Sequence, residues 1–341
     1  MALRSPLQGG LPPRGAVAGS VVEIACDESG FSGTNLLHPA TPVITHASVD
    51  LSSDEAIDLI TALRSGFRFS PHEFKSGQFL RGPGAGEALE WFLAALHGRA
   101  HVHLVDKEFF LVTRIVDLFL AKPSYAAGTR LAQHRRPAAV AVYRAKRTAT
   151  PEWDAFVGAF VDLVRIKKRH PDRWTVEPFF HARDALLRAG LDVPAEAVLS
   201  ELRPAPVRAI LTRLSNDDRT IPPPLEPMLP ALAETVLFWS RGQRQVLVFH
   251  DEQSALTADR LTRLQRALVN GGAPSGETGA LPVGVSPLAG LVMVDSRDDP
   301  RVQVADILAG IARRLPGSLN EAPLQPLLSP TSLIPEADGD Q

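Results

Sequence analysis

Two apolar stretches in this chain of 341 residues each end in an acid pair. Val21-Val22-Glu23-Ile24-Ala25-Cys26 runs into Asp27-Glu28, and Gln245-Val246-Leu247-Val248-Phe249 runs into His250-Asp251-Glu252. Carboxylates gathered at one place repel each other and hold their protons more tightly unless a cation offsets them. Hard oxygen donors suit magnesium or manganese, which sit on one or two carboxylates plus the phosphates of a substrate. In open α/β sheets ligands bind beyond the carboxyl ends of strands, so both pairs stand where such chemistry is expected. Each pair alone also reads as a solvated strand end entering a turn.

A third acid comes late in the chain. In Asp299-Pro300-Arg301-Val302-Gln303-Val304-Ala305-Asp306 a helix starts with Asp299 as N-cap and Pro300 at its first position. Gln303 and Asp306, three apart, share a helical face. Asp306 lies in an apolar run that continues through Ile307, Leu308 and Ala309. An acid there is expensive unless it is paired or binds a metal, or unless it lies on the exposed stripe of an amphipathic helix. Ser296, just before this helix, is placed to orient a ligand or substrate, as is Gln303. Earlier, Glu73 and Lys75 stand two apart; on extended backbone they project to one side. Lys75 would hold a phosphate or Glu28, and Glu73 would be a further ligand, unless the two form a surface ion pair.

The elements that must position these groups follow from pattern. Strands are expected at 21–26, 42–49, 100–105, 245–249 and 290–294, and helices at 53–63, 86–98, 107–120, 256–269 and 301–314. Ser52 or Ser53 caps the first helix, with Asp54 and Glu55 in its first turn. The middle is helical, with segments at 152–169, 179–189 and 228–239. Strands alternating with helices at both ends of the chain predict an α/β domain. Its core is formed by 20–120 and 241–314 around a mostly helical insertion, 121–240. A flexible leader, 1–19, precedes it. A Pro-rich acidic tail, 315–341, follows, without Lys or Arg, and reads as disordered or as a segment docking a protein partner.

Composition narrows the function. With 45% hydrophobic and 22% charged residues the chain can bury a core. A net charge of −2 excludes a globally basic nucleic-acid binder but not a basic face. Such a face is expected between Leu118 and Pro151, where Lys122, Arg130, Arg135, Arg136, Arg144, Lys146 and Arg147 meet no acid. Arg135, Arg136, Arg144 and Arg147 are the candidates to track a phosphate backbone, with Tyr125 and Tyr143 to stack on bases. An Arg-rich surface in an Arg-rich chain is the alternative explanation. Arg165, Lys167, Lys168 and Arg169 extend the basic run. The single cysteine, Cys26, excludes a disulfide framework and fits a cytoplasmic setting. Beside carboxylates its thiol is a poor nucleophile, so a small core residue is expected. His101 and His103 share one strand face and are expected to be buried, and His250 is expected to point away from Asp251. Gly271 to Gly279 lack the Lys and Ser or Thr of a P-loop and suggest a mobile loop. No stretch approaches the ~20 apolar residues of a membrane span.

Taken in order, Asp27-Glu28-Ser29-Gly30, Glu73-x-Lys75, Asp251-Glu252, Ser296, and Gln303-x-x-Asp306 with Ala309-Gly310 resemble the bacterial "domain of unknown function 3800" family. The likeness covers both ends of the chain and leaves the insertion poorly matched. It implies a ribonuclease H-like mixed sheet flanked by helices, and a metal-dependent nuclease. Asp27, Asp251 and Asp306 would hold two Mg²⁺ or Mn²⁺ ions, with Glu28 or Glu73 at the remaining position, and Lys75 would neutralise charge on the phosphate. Two alternatives stand beside this. One is a non-catalytic nucleic-acid- or protein-binding protein; the other is a defence or toxin-like effector on a small nucleotide.

Overall fold

The computed structural model describes residues 9–13, 21–31, 33, 35–67, 84–165, 175–269, 280–314 and 322–335. The chain divides into two compact units. The first comprises Met1–Phe31, Val43–Leu104 and Ala231–Ser332; the second comprises Ser32–Pro42, Val105–Pro230 and Leu333–Gln341. The second unit therefore starts earlier and ends earlier than the insertion expected at 121–240, and it takes in the loop after the first strand.

The first unit is built on a five-stranded mixed sheet. Its strands are β1 (Val21–Ser29), β2 (Val43–Val49), β3 (Ala100–Asp106, shared with the second unit), β4 (Gln245–Asp251) and β5 (Leu288–Val294). They lie in the order β3-β2-β1-β4-β5. β2 runs antiparallel to β1, whereas β4 runs parallel to β1 and β5 parallel to β4. β1 is central, with Ile24, Ala25 and Cys26 all buried, as a run covered on both faces requires. β4 alternates instead: Val246, Val248 and His250 are buried while Leu247 and Phe249 are partly exposed. The Arg301 guanidinium lies 4.2 Å over the Phe249 ring and covers its open side.

The helices start where local chemistry says. α1 (Ser53–Phe67) opens on a reciprocal capping box. Ser52 N–H donates to Glu55 Oε2 at 2.7 Å, and Glu55 N–H donates to Ser52 Oγ at 3.2 Å. α2 is Ala85–Ala95. Two further helices of this unit are α9 (Met228–Ser240) and α10 (Ala258–Leu268). The last, α11 (Pro300–Arg314), is capped by Asp299, whose Oδ1 accepts the Arg301 amide at 2.9 Å. α11 packs on β1 and β2, burying Val302, Ala305, Leu308, Ala309 and Ala312. In the second unit come α3 (Lys107–Ile115), a π turn (Val116–Leu120), and α4 (Arg136–Thr148) to α8. Here α5 is Thr150–Val164, α6 Glu177–Arg188, α7 Val193–Glu201 and α8 Pro204–Ser215. Phe119, Phe156, Phe160 and Phe179 form its aromatic core, with Phe156 and Phe179 stacked at 5.3 Å. Burying a phenylalanine contributes about 1.5–3 kcal/mol, so this cluster is one part of a core that also buries Phe109, Phe110 and Trp153.

Both sheet edges are covered by chain from outside the regular elements. Leu11, in the stretch expected as a flexible leader, pairs antiparallel with Leu291 of β5, exchanging two N–H···O bonds of 2.8 Å. On the other edge Leu328, in the expected tail, bridges Val102 of β3. Ser329 N–H donates to the Val102 carbonyl at 2.7 Å. Where a disordered or partner-docking tail was expected, 322–332 instead lies on the chain's own sheet, whose bare strand edge offers unpaired backbone donors and acceptors. Gly290 makes the first seat possible: a Cβ there would come within 2.8 Å of the Leu11 carbonyl oxygen and of Pro13 N. Gly290→Ala is therefore expected to displace 9–13 from β5 and to destabilise the protein by about 1–3 kcal/mol. Faster hydrogen exchange of the Leu291 amide would register it, and unchanged protection would count against it.

Candidate functional site

The site grows from the pleat of β1. Successive side chains alternate faces, so Asp27 and Ser29 share one side and Glu28 takes the other. The α11 side is that of Asp27: Thr45, the β2 partner of Ser29, donates its Oγ1–H to the Ala309 carbonyl at 2.7 Å. Asp27 is 6% exposed, and its Oδ1 accepts the Glu28 amide at 2.6 Å. Burial raises its pKa well above the ordinary carboxylate value; the charges of Glu28, Asp306 and Asp251 raise it further, against the pull of that amide. The charges of Asp251 on β4 and Asp306 on α11 thus both act on Asp27 of β1. Asp251 is oriented by the backbone: its Oδ1 accepts the Ser296 N–H at 2.9 Å. Ser296 therefore acts through its amide. Gln303 sits half-buried one turn before Asp306. Glu252, beside Asp251, is exposed.

Glu28 faces a different environment. Burial pushes its pKa up to about 7, with the Gln253 amide opposing and Asp251 reinforcing. Gln253 Nε2 donates to Oε1, while Oε2 is buried without a hydrogen-bond partner, 4.0 Å from His250 Nε2. His250 in turn meets His46, Nε2 to Nε2 at 3.2 Å. His250 Nδ1 lies 2.8 Å from the Asp251 carbonyl, which can only accept, so Nδ1 carries the proton and Nε2 accepts. His46 then donates from Nε2 and accepts the Thr235 hydroxyl at Nδ1, 2.9 Å away. Both imidazoles are held neutral: burial lowers both, and for His46 the neighbouring His250, His103 and His101 add to it.

Gln253 and His46 carry no signal in the sequence; neither belongs to a motif, and His46 meets His250 across 204 residues. His101 and His103 are buried, as expected, with His101 stacked on Phe238 at 4.0 Å. Cys26 is buried and free, its thiol pushed up by burial and then by Asp27 and Glu28. Glu73, Lys75, the loop 271–279 and the basic residues Lys167, Lys168 and Arg169 lie outside the described residues.

As donors, Asp27, Asp251 and Asp306 offer the hard oxygens that magnesium or manganese takes, whereas the orphaned Glu28 Oε2 lies buried on the opposite face of β1 from Asp27. Among the described residues no group of three or more His, Cys, Asp or Glu is drawn together tightly enough to hold an ion as it stands.

The second unit sorts the basic run. Arg135 pairs with Asp117 at 3.0 Å, and Arg136 donates to the Ile334 carbonyl at 2.7 Å with its guanidinium over Phe109. Both have structural partners. Arg144 and Arg147 are exposed on α4. Tyr125 is buried and donates to the Arg219 carbonyl, and Tyr143 sits edge-on between Phe109 and Trp153. Tyr125 packs inside the unit, which removes it as a stacking platform, while Tyr143 is half-buried. No described helix is long and apolar enough to cross a membrane. Compared with known proteins, the chain matches no family model, no curated protein and no solved structure.

Proposed function

We propose that this protein is a divalent-metal-dependent phosphodiesterase acting on RNA or DNA, with a ribonuclease H-like core. One observation carries the reading. Asp27 is buried at the centre of the sheet with Asp251, Asp306 and Glu28 as the charges acting on it. Folding bears the repulsion of that arrangement, and a divalent cation would relieve it. The resemblance to the "domain of unknown function 3800" family points to the same reading, with the acids on the first strand, a neighbouring central strand and the C-terminal helix. One departure from the ribonuclease H pattern is that β2 and β3 are separated by α1 and α2 rather than joined as a hairpin. Of the two candidates for the fourth ligand, Glu28 stands on the other face of β1 from Asp27, and Glu73 lies outside the described residues.

Asp27, Asp251 and Asp306 would hold the metal. When bound, it would activate a water and stabilise the leaving oxygen of an in-line displacement. The chain's own contribution is orientation. The Glu28 amide fixes the Asp27 carboxylate, the Ser296 amide fixes that of Asp251, and the capped start of α11 presents Asp306. Arg144 and Arg147, exposed on α4 of the second unit, are candidates for contacting nucleic acid.

The test is cleavage of structured and single-stranded RNA and DNA with Mn²⁺, Mg²⁺ or a chelator, alongside calorimetric metal titration. Metal-dependent cleavage of at least one polymer is expected. Absence of divalent-ion binding, together with an Asp27→Asn variant indistinguishable from wild type on every substrate, overturns the reading.

A further inference from the structure

The turn that ends β1 holds an arginine outside the carboxylate set. Arg313 lies in the last turn of α11, seven residues after Asp306 and so on the same stripe of the helix. Its Nε donates to Ser29 Oγ at 2.9 Å. Ser29 shares the β1 face of Asp27, two residues and about 7 Å along the strand. The helix is fixed over this spot one turn earlier by the Thr45 hydroxyl on the Ala309 carbonyl.

Gly30 completes the seat. Its φ is +89°, and a Cβ there would lie 2.5 Å from the Val43 carbonyl oxygen and 2.8 Å from Arg313 Cδ. The aliphatic stem of Arg313 therefore rests where only a glycine leaves room. The last two residues of Asp27-Glu28-Ser29-Gly30 thus have a physical task, which is to hold a guanidinium two residues along the strand from Asp27. A cation in the last turn of a helix is favourable by itself, but Arg314 serves that purpose equally and needs no such seat. Among the described residues Arg313 makes no ion pair with a carboxylate, and it is half-exposed. With Nε engaged by Ser29, the Nη1 and Nη2 donors remain, and this fork matches two oxygens of a phosphate.

We propose that Arg313, seated by Ser29 and Gly30, forms a phosphate-binding subsite that takes a backbone phosphate of the nucleic-acid strand next to the one being cleaved. The inference rests on the phosphodiesterase reading of the carboxylates. It supplies what that site lacks, because an acid cluster repels a polyanion unless a fixed cation draws the strand in.

The experiment measures anisotropy of fluorescein-labelled single-stranded RNA and DNA binding to the full chain. Ca²⁺ is present, and salt is varied. Wild type, R313A, R313K and S29A are compared, and cleavage with Mn²⁺ is followed in parallel. R313A is expected to weaken binding about 10- to 100-fold and to lower the log–log salt slope by about one. R313K keeps the charge and the slope but not the fork, and S29A keeps the guanidinium but not its seat; each is expected to lose about 3- to 10-fold. Wild-type affinity and slope in R313A overturn the subsite while leaving the nuclease reading intact, provided wild type cleaves. A wild type that neither binds nor cleaves overturns that reading, and the subsite with it. Should R313A fail to fold, unchanged binding in both R313K and S29A overturns the proposal.

Discussion

Asp27→Asn is expected to give a protein that is at once more stable and inactive. The carboxylate of Asp27 is buried, and the charges acting on it are those of Glu28, Asp306 and Asp251. Without a cation, the folded state either bears that repulsion or takes up a proton to quench it; an amide requires neither. Asparagine keeps an oxygen to accept the Glu28 amide, so the local hydrogen bond survives the change. A gain of about 1–3 kcal/mol in chelator at pH 8 is expected, seen as a melting temperature several degrees higher. The same change removes an oxygen from the centre of the proposed metal set, and cleavage should fall by about a thousandfold or more. Added Mn²⁺ should then raise the melting temperature of wild type well beyond that of the variant, since only binding to the folded state stabilises it. A variant that melts below wild type in chelator would show that Asp27 carries a structural role and no strain. Full activity in the variant would remove Asp27 from the chemistry.

The second large effect concerns pH. Glu28 ionises with a pKa of about 7 in the folded chain, against an ordinary 4.5. Between those values the unfolded chain has released the proton and the folded chain retains it. The folded state therefore binds more protons, and stability must fall as pH rises through this window. The group's contribution is fully present below pH 4.5 and exhausted above about 7, a change on the order of 3 kcal/mol. His46 and His250 act in the opposite sense. Their pKa values are lowered, so below 6.5 the unfolded chain binds more protons, and their effect is to make stability rise with pH up to that value. The Glu28 contribution is isolated by difference. Glu28→Gln, measured by urea denaturation in chelator from pH 4.5 to 8, should lack the decline that wild type shows relative to it. Parallel curves for the two proteins would refute the assignment.

Much of the candidate site is visible in the order of residues because its determinants are local. An apolar run cut short by Asp-Glu marks a strand end, and Ser52-x-x-Glu55 and Asp299-Pro300 mark helix starts whose hydrogen bonds close within a few residues. Alternation along β1 separates Asp27 from Glu28 before any fold is known. It does not say which of the two meets α11. That depends on the pairing of Ser29 with Thr45 and on where a helix nearly three hundred residues later comes down. The basic run illustrates the opposite limit. Charge is legible residue by residue, but its availability is not, and Arg135 and Arg136 prove to be engaged by Asp117 and by the Ile334 carbonyl.

By itself, then, the sequence determined the element types, the acids at the ends of β1 and β4 and on α11, and the glycine and serine that follow the first pair. Tertiary structure alone decided four things: that the charges of Asp251 and Asp306 both act on Asp27, that His46 and Gln253 line the other face, that 9–13 and 322–332 close the sheet edges, and that Arg313 rests on Ser29 and Gly30. The division has a physical cause. Strand and helix preferences and caps act over a few neighbouring residues. Edge pairing, by contrast, runs through backbone groups that every residue possesses, and repulsion between carboxylates depends on distances that only the packed fold defines.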